Sequence, residues 1–199
     1  MRSTKINVLG ALIITMSLII IGISGSYAYL VVGVTEVNSE NKGVVVKSGA
    51  LTMDFETTAT FNANAIGLIN DSDMATQAKS TSFTVNLPST GKVDAAGYDL
   101  YLTDIRMSHN FKSPYLKWAL YKGTTEVGSG DFNGVTLSNP TNNVYDASRI
   151  NLLQDVSISK GDTDSYKLYI WLSNDVNAQQ NDLLNGALSV KVGFTAFTK

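Results

Sequence analysis

The chain contains no cysteine. Disulfide bonds and thiolate metal sites are therefore excluded, and an exported form of the protein would rest on its hydrophobic core alone. Histidine occurs once, as His109. The paired helical histidines and glutamate base of a zinc protease, H-E-x-x-H, cannot be assembled, nor can another multi-histidine ligand set. Only three prolines are present and 16% of residues are charged. No long block of one charge sign occurs, which reads as an ordinary solvated surface. The net charge is −2. That mild acidity argues against nucleic acid and anionic membrane surfaces as partners, since both reward a basic face.

What is present begins with an N-terminal export pattern. Residues 1–7 carry Arg2 and Lys5 and no acid, and residues 8–23 are apolar except for Thr15 and Ser17. Ser24-Gly25-Ser26-Tyr27-Ala28 follows, with Ser26 and Ala28 as small residues at the −3 and −1 positions of a cleavage site. This is the three-part layout of a secretory signal peptide, residues 1–28. Apolar character resumes over residues 29–34, so a retained transmembrane anchor of about 20 residues is the competing reading. The basic N-terminus would stay inside in either case and send the remainder out. Cleavage would remove Arg2 and Lys5 and leave a net charge of about −4. Membrane contact is expected only through this N-terminal segment.

The remainder reads as strands. Leu188, Val190, Val192, Phe194 and Ala196 share one face, with Ser189, Lys191, Gly193 and Thr195 opposite. This is period-two alternation over a full strand length. Tyr166, Leu168, Ile170 and Leu172 repeat it. Lys167, Tyr169 and Trp171 lie opposite, and two bulky faces predict a central strand. Phe83, Val85 and Leu87 mark a further strand, as do Tyr98, Leu100 and Leu102, and Leu116, Trp118 and Leu120. Residues 44–55 predict a strand pair or one long strand broken near Gly49, and Val156 and Ile158 a short strand. Turns are predicted at 88–91, Lys122-Gly123, Gly128-Ser129-Gly130, Asn139-Pro140 and Lys160-Gly161. Residues 57–79 and 174–184 read as long loops or short helices. No repeat or linker composition divides the chain. The expected fold is therefore all-β, a single antiparallel β-sandwich or jelly roll over residues 43–199, behind an extension at 29–42.

Chemistry-bearing patterns are sparse. His109 reads as a surface or edge residue, and no G-x-S-x-G elbow supports a Ser-His-Asp triad. Asp71/Asp73 and Asp162/Asp164 supply too few of the roughly six to eight oxygens that Ca²⁺ takes, and Asx turns account for both pairs. Gly128-Ser129-Gly130 lacks the Lys and the helix of a phosphate loop. Trp118, Tyr166, Tyr169 and Trp171 alternate on strands, so core packing outweighs a sugar-binding platform. No catalytic, cofactor or metal residue is assigned. The extension is more informative. Leu30, Val32 and Val34 would share one face of an extended strand, suited to joining a neighbouring molecule's sheet. Such a contact repeated head to tail makes a filament, and the competing reading is the frayed end of the signal region.

Two blocks resemble the TasA/camelysin family of exported Gram-positive proteins. One is the signal peptide and polar spacer followed by residues 44–55, a strand, a small-Gly step at Ser48-Gly49-Ala50 and the Leu51-containing strand. The other is residues 166–197. There an apolar strand ends in Trp171-Leu172, Asn181-Asp182-Leu183-Leu184-Asn185-Gly186 follows, and a final alternating strand closes the block. Residues 61–160 match nothing of the pattern. The resemblance implies a jelly-roll domain, processed by a dedicated signal peptidase, that polymerises into biofilm-matrix fibres. The N-terminal strand would complete the next subunit, a role that falls on residues 29–42 with Leu30, Val32 and Val34 as groove fillers. Camelysin carries a metalloprotease label, and the lack of a zinc-ligand set in this chain argues against that activity here. The expectation is a secreted or cell-surface, non-enzymatic structural protein whose partner is itself, with other matrix proteins as further candidates. The alternative is a membrane-anchored adhesin or carbohydrate-binding module.

Overall fold

The computed structural model describes residues 66–198, together with strand backbone at 32–33, 44–48, 51–57 and 61–64. In chain order the strands are β1 (Val32–Gly33), β2 (Val44–Ser48), β3 (Leu51–Thr57), β4 (Phe61–Asn64) and β5 (Leu68–Ile69). A one-turn helix α1 (Met74–Gln77) precedes β6 (Lys79–Asn86), β7 (Ala95–Ser108), β8 (Leu116–Lys122) and β9 (Thr125–Asp131). Then come β10 (Leu137–Thr141), β11 (Val144–Ala147), β12 (Ile150–Ser159), β13 (Thr163–Ser173) and β14 (Ala187–Thr198).

Two sheets pack face to face as an all-β sandwich. The first runs β1-β14-β7-β11-β10, with β12 also on β7 and β4 also on β14. The second runs β2-β3-β6-β13-β8-β9. Pairing is antiparallel except that β5 lies parallel to β13, Leu172 opposite Leu68. The strand pair expected over residues 44–55 is the antiparallel β2–β3 pair. β13 lies between β6 and β8, as its two bulky faces require. The inward rows fill one core: Phe83, Val85 and Leu87; Tyr98, Leu100 and Leu102; Leu116, Trp118 and Leu120; Leu188 through Ala196. Each is at most 5% exposed. Burying one such large side chain contributes roughly 1.5–3 kcal/mol.

Four expectations are corrected. β7 extends well past the predicted strand because a bulge interrupts its alternation. Ser189 faces Arg106 but Lys191 faces Thr103, so β7 holds one extra residue there, with Asp104 at φ 48°. The bulge moves the inward phase from Tyr98, Leu100 and Leu102 to Ile105 and Met107. β12 likewise has two register shifts before Val156, and its first half showed no period. Gly128-Ser129-Gly130 is strand, not turn. Trp118 pairs directly with Gly130, and a Cβ there would lie 3.0 Å from the indole. Gly130 makes room for Trp118, a Cβ on Gly128 would lie 2.9 Å from the Leu152 carbonyl oxygen, and the turn is at Gly123, φ 61°. Pro140 sits in β10, at the edge of its sheet and within an irregular stretch of pairing, where a strand tolerates proline. The turn falls next to it, at Asn142 and Asn143, both with positive φ as a type I′ hairpin demands.

The same aromatic-over-glycine pairing recurs across β7–β14. Tyr101 faces Gly193 and Phe197 faces Gly97, and either glycine's Cβ would overlap the opposing ring. This explains why Gly193 and Thr195 are buried on the face opposite the core. Gly193→Ala is expected to cost roughly 1–3 kcal/mol, because the Tyr101 ring must leave its place. Urea denaturation of the variant beside the parent measures it.

One polar cluster joins the sheets. Asp164 lies on the inward face of β13 in phase with Tyr166. The Tyr98 hydroxyl, from the other sheet, donates to Asp164 Oδ2 at 2.5 Å and lies 2.5 Å from the Tyr166 hydroxyl. Lys122 Nζ completes the cluster, 2.7 Å from Asp164 Oδ1. Burial first, then the adjacent carboxylate, hold the Tyr98 phenol well above its ordinary range. Tyr166 is pushed up to about 12, again chiefly by burial. The folded state thus keeps protons that the unfolded chain loses near pH 10. Their contribution is complete below pH 10 and falls as pH rises toward about 12. Tyr98→Phe is expected to cost roughly 1–3 kcal/mol at neutral pH. It is also expected to flatten the alkaline decline, as read from urea midpoints between pH 7 and 12.

Candidate assembly edge

β14 is the strand on which an assembly contact can be built. On one side it is paired with β7 from Leu188 to Thr198. On its other side it pairs with β4 over Ala187–Val190 and with β1 at Thr195 and Ala196. The β1 register sets Val32 opposite Ala196 and Gly33 opposite Thr195, antiparallel. The sequence pattern set Val32 in a strand that joins a neighbouring molecule's sheet, whereas the backbone pairs it with β14 of its own chain. Ser26, Ala28, Leu30 and Val34 lie outside the described residues.

The receiving stretch of β14 is held firmly. Tyr101 lies across Gly193 and donates its hydroxyl to the Phe194 carbonyl at 3.3 Å. Thr195 Oγ1 donates to the same phenol oxygen, also at 3.3 Å. The Arg149 guanidinium sits 4.3 Å from the centre of the Tyr101 ring, a cation–π contact that covers the ring from outside. Lys191 Nζ reaches Asp104 Oδ2 at 3.0 Å, tying β14 to the β7 bulge. An incoming strand therefore meets a preformed edge and need order little beyond itself. What such an edge offers is main-chain hydrogen bonding and shape.

The other sequence-marked residues fall elsewhere. His109 opens a 3-10 turn (His109–Phe111) after β7, is exposed, and packs edge-on against Tyr145 at 5.6 Å. Among the described residues no three His, Asp or Glu side chains come together as a metal site. The two acidic pairs separate in role. Asp73 accepts from Asn70 Nδ2 at 3.2 Å in a local turn, whereas Asp71 accepts from Lys117 and Trp171. The Asp162 carbonyl accepts from the Leu87 amide at 3.1 Å, whereas Asp164 enters the buried cluster. Trp118 and Tyr166 belong to the core, and Tyr169 and Trp171 lie on the outer face of the second sheet with Met74. Sequence reasoning missed the role of Asp164. Its signal was a carboxylate in phase with the apolar row of β13.

No protein-family model matches this chain, and no curated protein matches it.

Deleting residues 29–42 removes β1 from the edge. Amide hydrogen exchange at residues 194–197 is expected to accelerate in the shortened chain, while β8 and β13 keep their protection. Unchanged exchange at those residues would mean that β1 contributes nothing to the edge.

Proposed function

We propose that this chain is an exported, non-catalytic structural subunit of a bacterial cell surface or biofilm matrix. Subunits assemble head to tail when the N-terminal strand of one copy adds to the β14 edge of the next. The observation that carries the reading is the β1–β14 pairing, Val32 opposite Ala196. An N-terminal strand that adds to this edge within one chain makes the same hydrogen bonds when a neighbour supplies it. Ten residues separate Gly33 from Val44. Fully extended they reach at most about 35 Å, enough to cross to an adjoining molecule. Exchange of an identical element between copies is a low-cost route to association, and a heterologous contact that does not close yields a filament.

Three further features support it. The N-terminal pattern of basic residues, apolar run and Ser26/Ala28 site directs the domain outward. The sandwich, read more finely, is a jelly roll, as resemblance to the TasA/camelysin family implies. In a chain without cysteine, an assembled form gains stability from its neighbours where disulfides are denied.

Negative-stain electron microscopy of protein beginning at Tyr29, beside protein beginning at Gly43, tests the proposal. Fibres are expected from the longer form alone. Absence of fibres from both forms would overturn assembly, and fibres from both would move the contact away from the N-terminal strand.

A further inference from the structure

The outer face of the second sheet is not flat. Its side chains form a grid across β9, β8 and β13. One row reads Asp131, Lys117, Trp171; the next Ser129, Ala119, Tyr169; in the third, Tyr121 faces Glu126 on one side and Lys167 on the other. Ala119 and Ser129 are small, so the β8–β9 part of the middle row sinks between its neighbours. Met74 of α1 closes the Trp171 side. The result is a groove of about 420 Å³. A second cavity of about 560 Å³ continues from the same Asp71, Lys117 and Asp131 toward Tyr115 and Asp175. Together they make an elongated cleft within the size range of small-ligand sites.

We propose that this cleft binds a linear saccharide chain that is neutral or basic, a function separate from fibre assembly. The polar groups set the class of ligand. Lys117 is matched by Asp71, Nζ to Oδ2 at 2.7 Å, and the Trp171 indole N–H donates to Asp71 Oδ1 at 2.8 Å. That leaves Glu126, held by the Tyr121 hydroxyl at 3.2 Å, and Asp131, which takes the Asn133 amide at 2.9 Å. Each carboxylate keeps acceptor capacity facing the groove. Two carboxylates with no cation matched to them among the described residues favour a ligand rich in hydroxyl or amine donors, and the Trp118 indole N–H, buried without a partner in the groove wall, can donate to a ring or hydroxyl oxygen. The carboxylates would repel a uronic-acid or phosphate-bearing polymer. Tyr121 and the edge of Trp171 offer apolar contact to the C–H faces of sugar rings. Two joined cavities suit a chain more than a single ring.

Titration calorimetry on the full chain, kept in mild detergent, tests this with hexamers of glucosamine, glucose and galacturonic acid, and with hexalysine. Saturable binding is expected for the glucosamine hexamer, weaker binding for the glucose hexamer, and none for the galacturonic hexamer. Glu126→Gln with Asp131→Asn, both exposed, is expected to weaken binding at least about tenfold, as lost charged hydrogen bonds imply. Ala119→Phe, which fills the groove, is expected to abolish it, with unchanged circular dichroism showing that the variants fold. No saturable saccharide binding, equal binding of the galacturonic hexamer, hexalysine binding as tight as glucosamine, or variants without effect would each overturn the proposal.

Discussion

Every edge strand of a two-sheet sandwich carries main-chain N–H and C=O groups that must be paired, covered or left to water, and this constraint organises the whole molecule. The sheets handle it differently at each edge. β10 carries Pro140 and an irregular pairing, which make it a poor template for another strand. β9 presents Glu126 and Asp131 with glycines between them. β14 instead takes β4 along one stretch and β1 along another. That edge is the one whose completion depends on the N-terminal segment, and the proposed function follows from it. Because the same hydrogen bonds form within a chain or between chains, strand exchange alone is nearly neutral in energy. Protein concentration and any added contact between neighbouring domains then decide which form prevails.

The interior is built to hold that edge in place without covalent ties. The apolar rows of both sheets make one core, and a polar cluster crosses it at Tyr98, Asp164 and Tyr166. A buried carboxylate is costly unless its partners are fixed. Here they come from both sheets, so the cluster fixes how one sheet sits on the other. The rings of Tyr101, Phe197 and Trp118 do similar work along the strands. Each covers a glycine directly opposite, filling space that would otherwise weaken the sheet.

Much of this was legible in the sequence where period two ran unbroken. β6, β8, β13 and β14 followed from alternation, and the central position of β13 from its two bulky faces. The readings failed where geometry breaks the period. The Asp104 bulge switches the inward phase of β7, and the shifts before Val156 erase the alternation of β12. Gly128 and Gly130 mimic a turn because the reasons for them, the Leu152 carbonyl and the Trp118 ring, lie on other strands. Of the candidate assembly residues, Val32 is placed by its backbone. Neither the edge that receives it nor the groove over Ala119 could be read from local pattern, since both are made by strands distant in the chain.

The most direct measurement uses the chain's lack of cysteine. A Val32→Cys, Ala196→Cys double variant places two thiols at facing positions of the β1–β14 pair. Assembled material is oxidised and run without reductant. Strand donation between subunits predicts a ladder of covalent multimers that reduction collapses to monomer. Only internally cross-linked monomer from the same fibres would contradict the account, by showing that the N-terminal strand stays with its own domain.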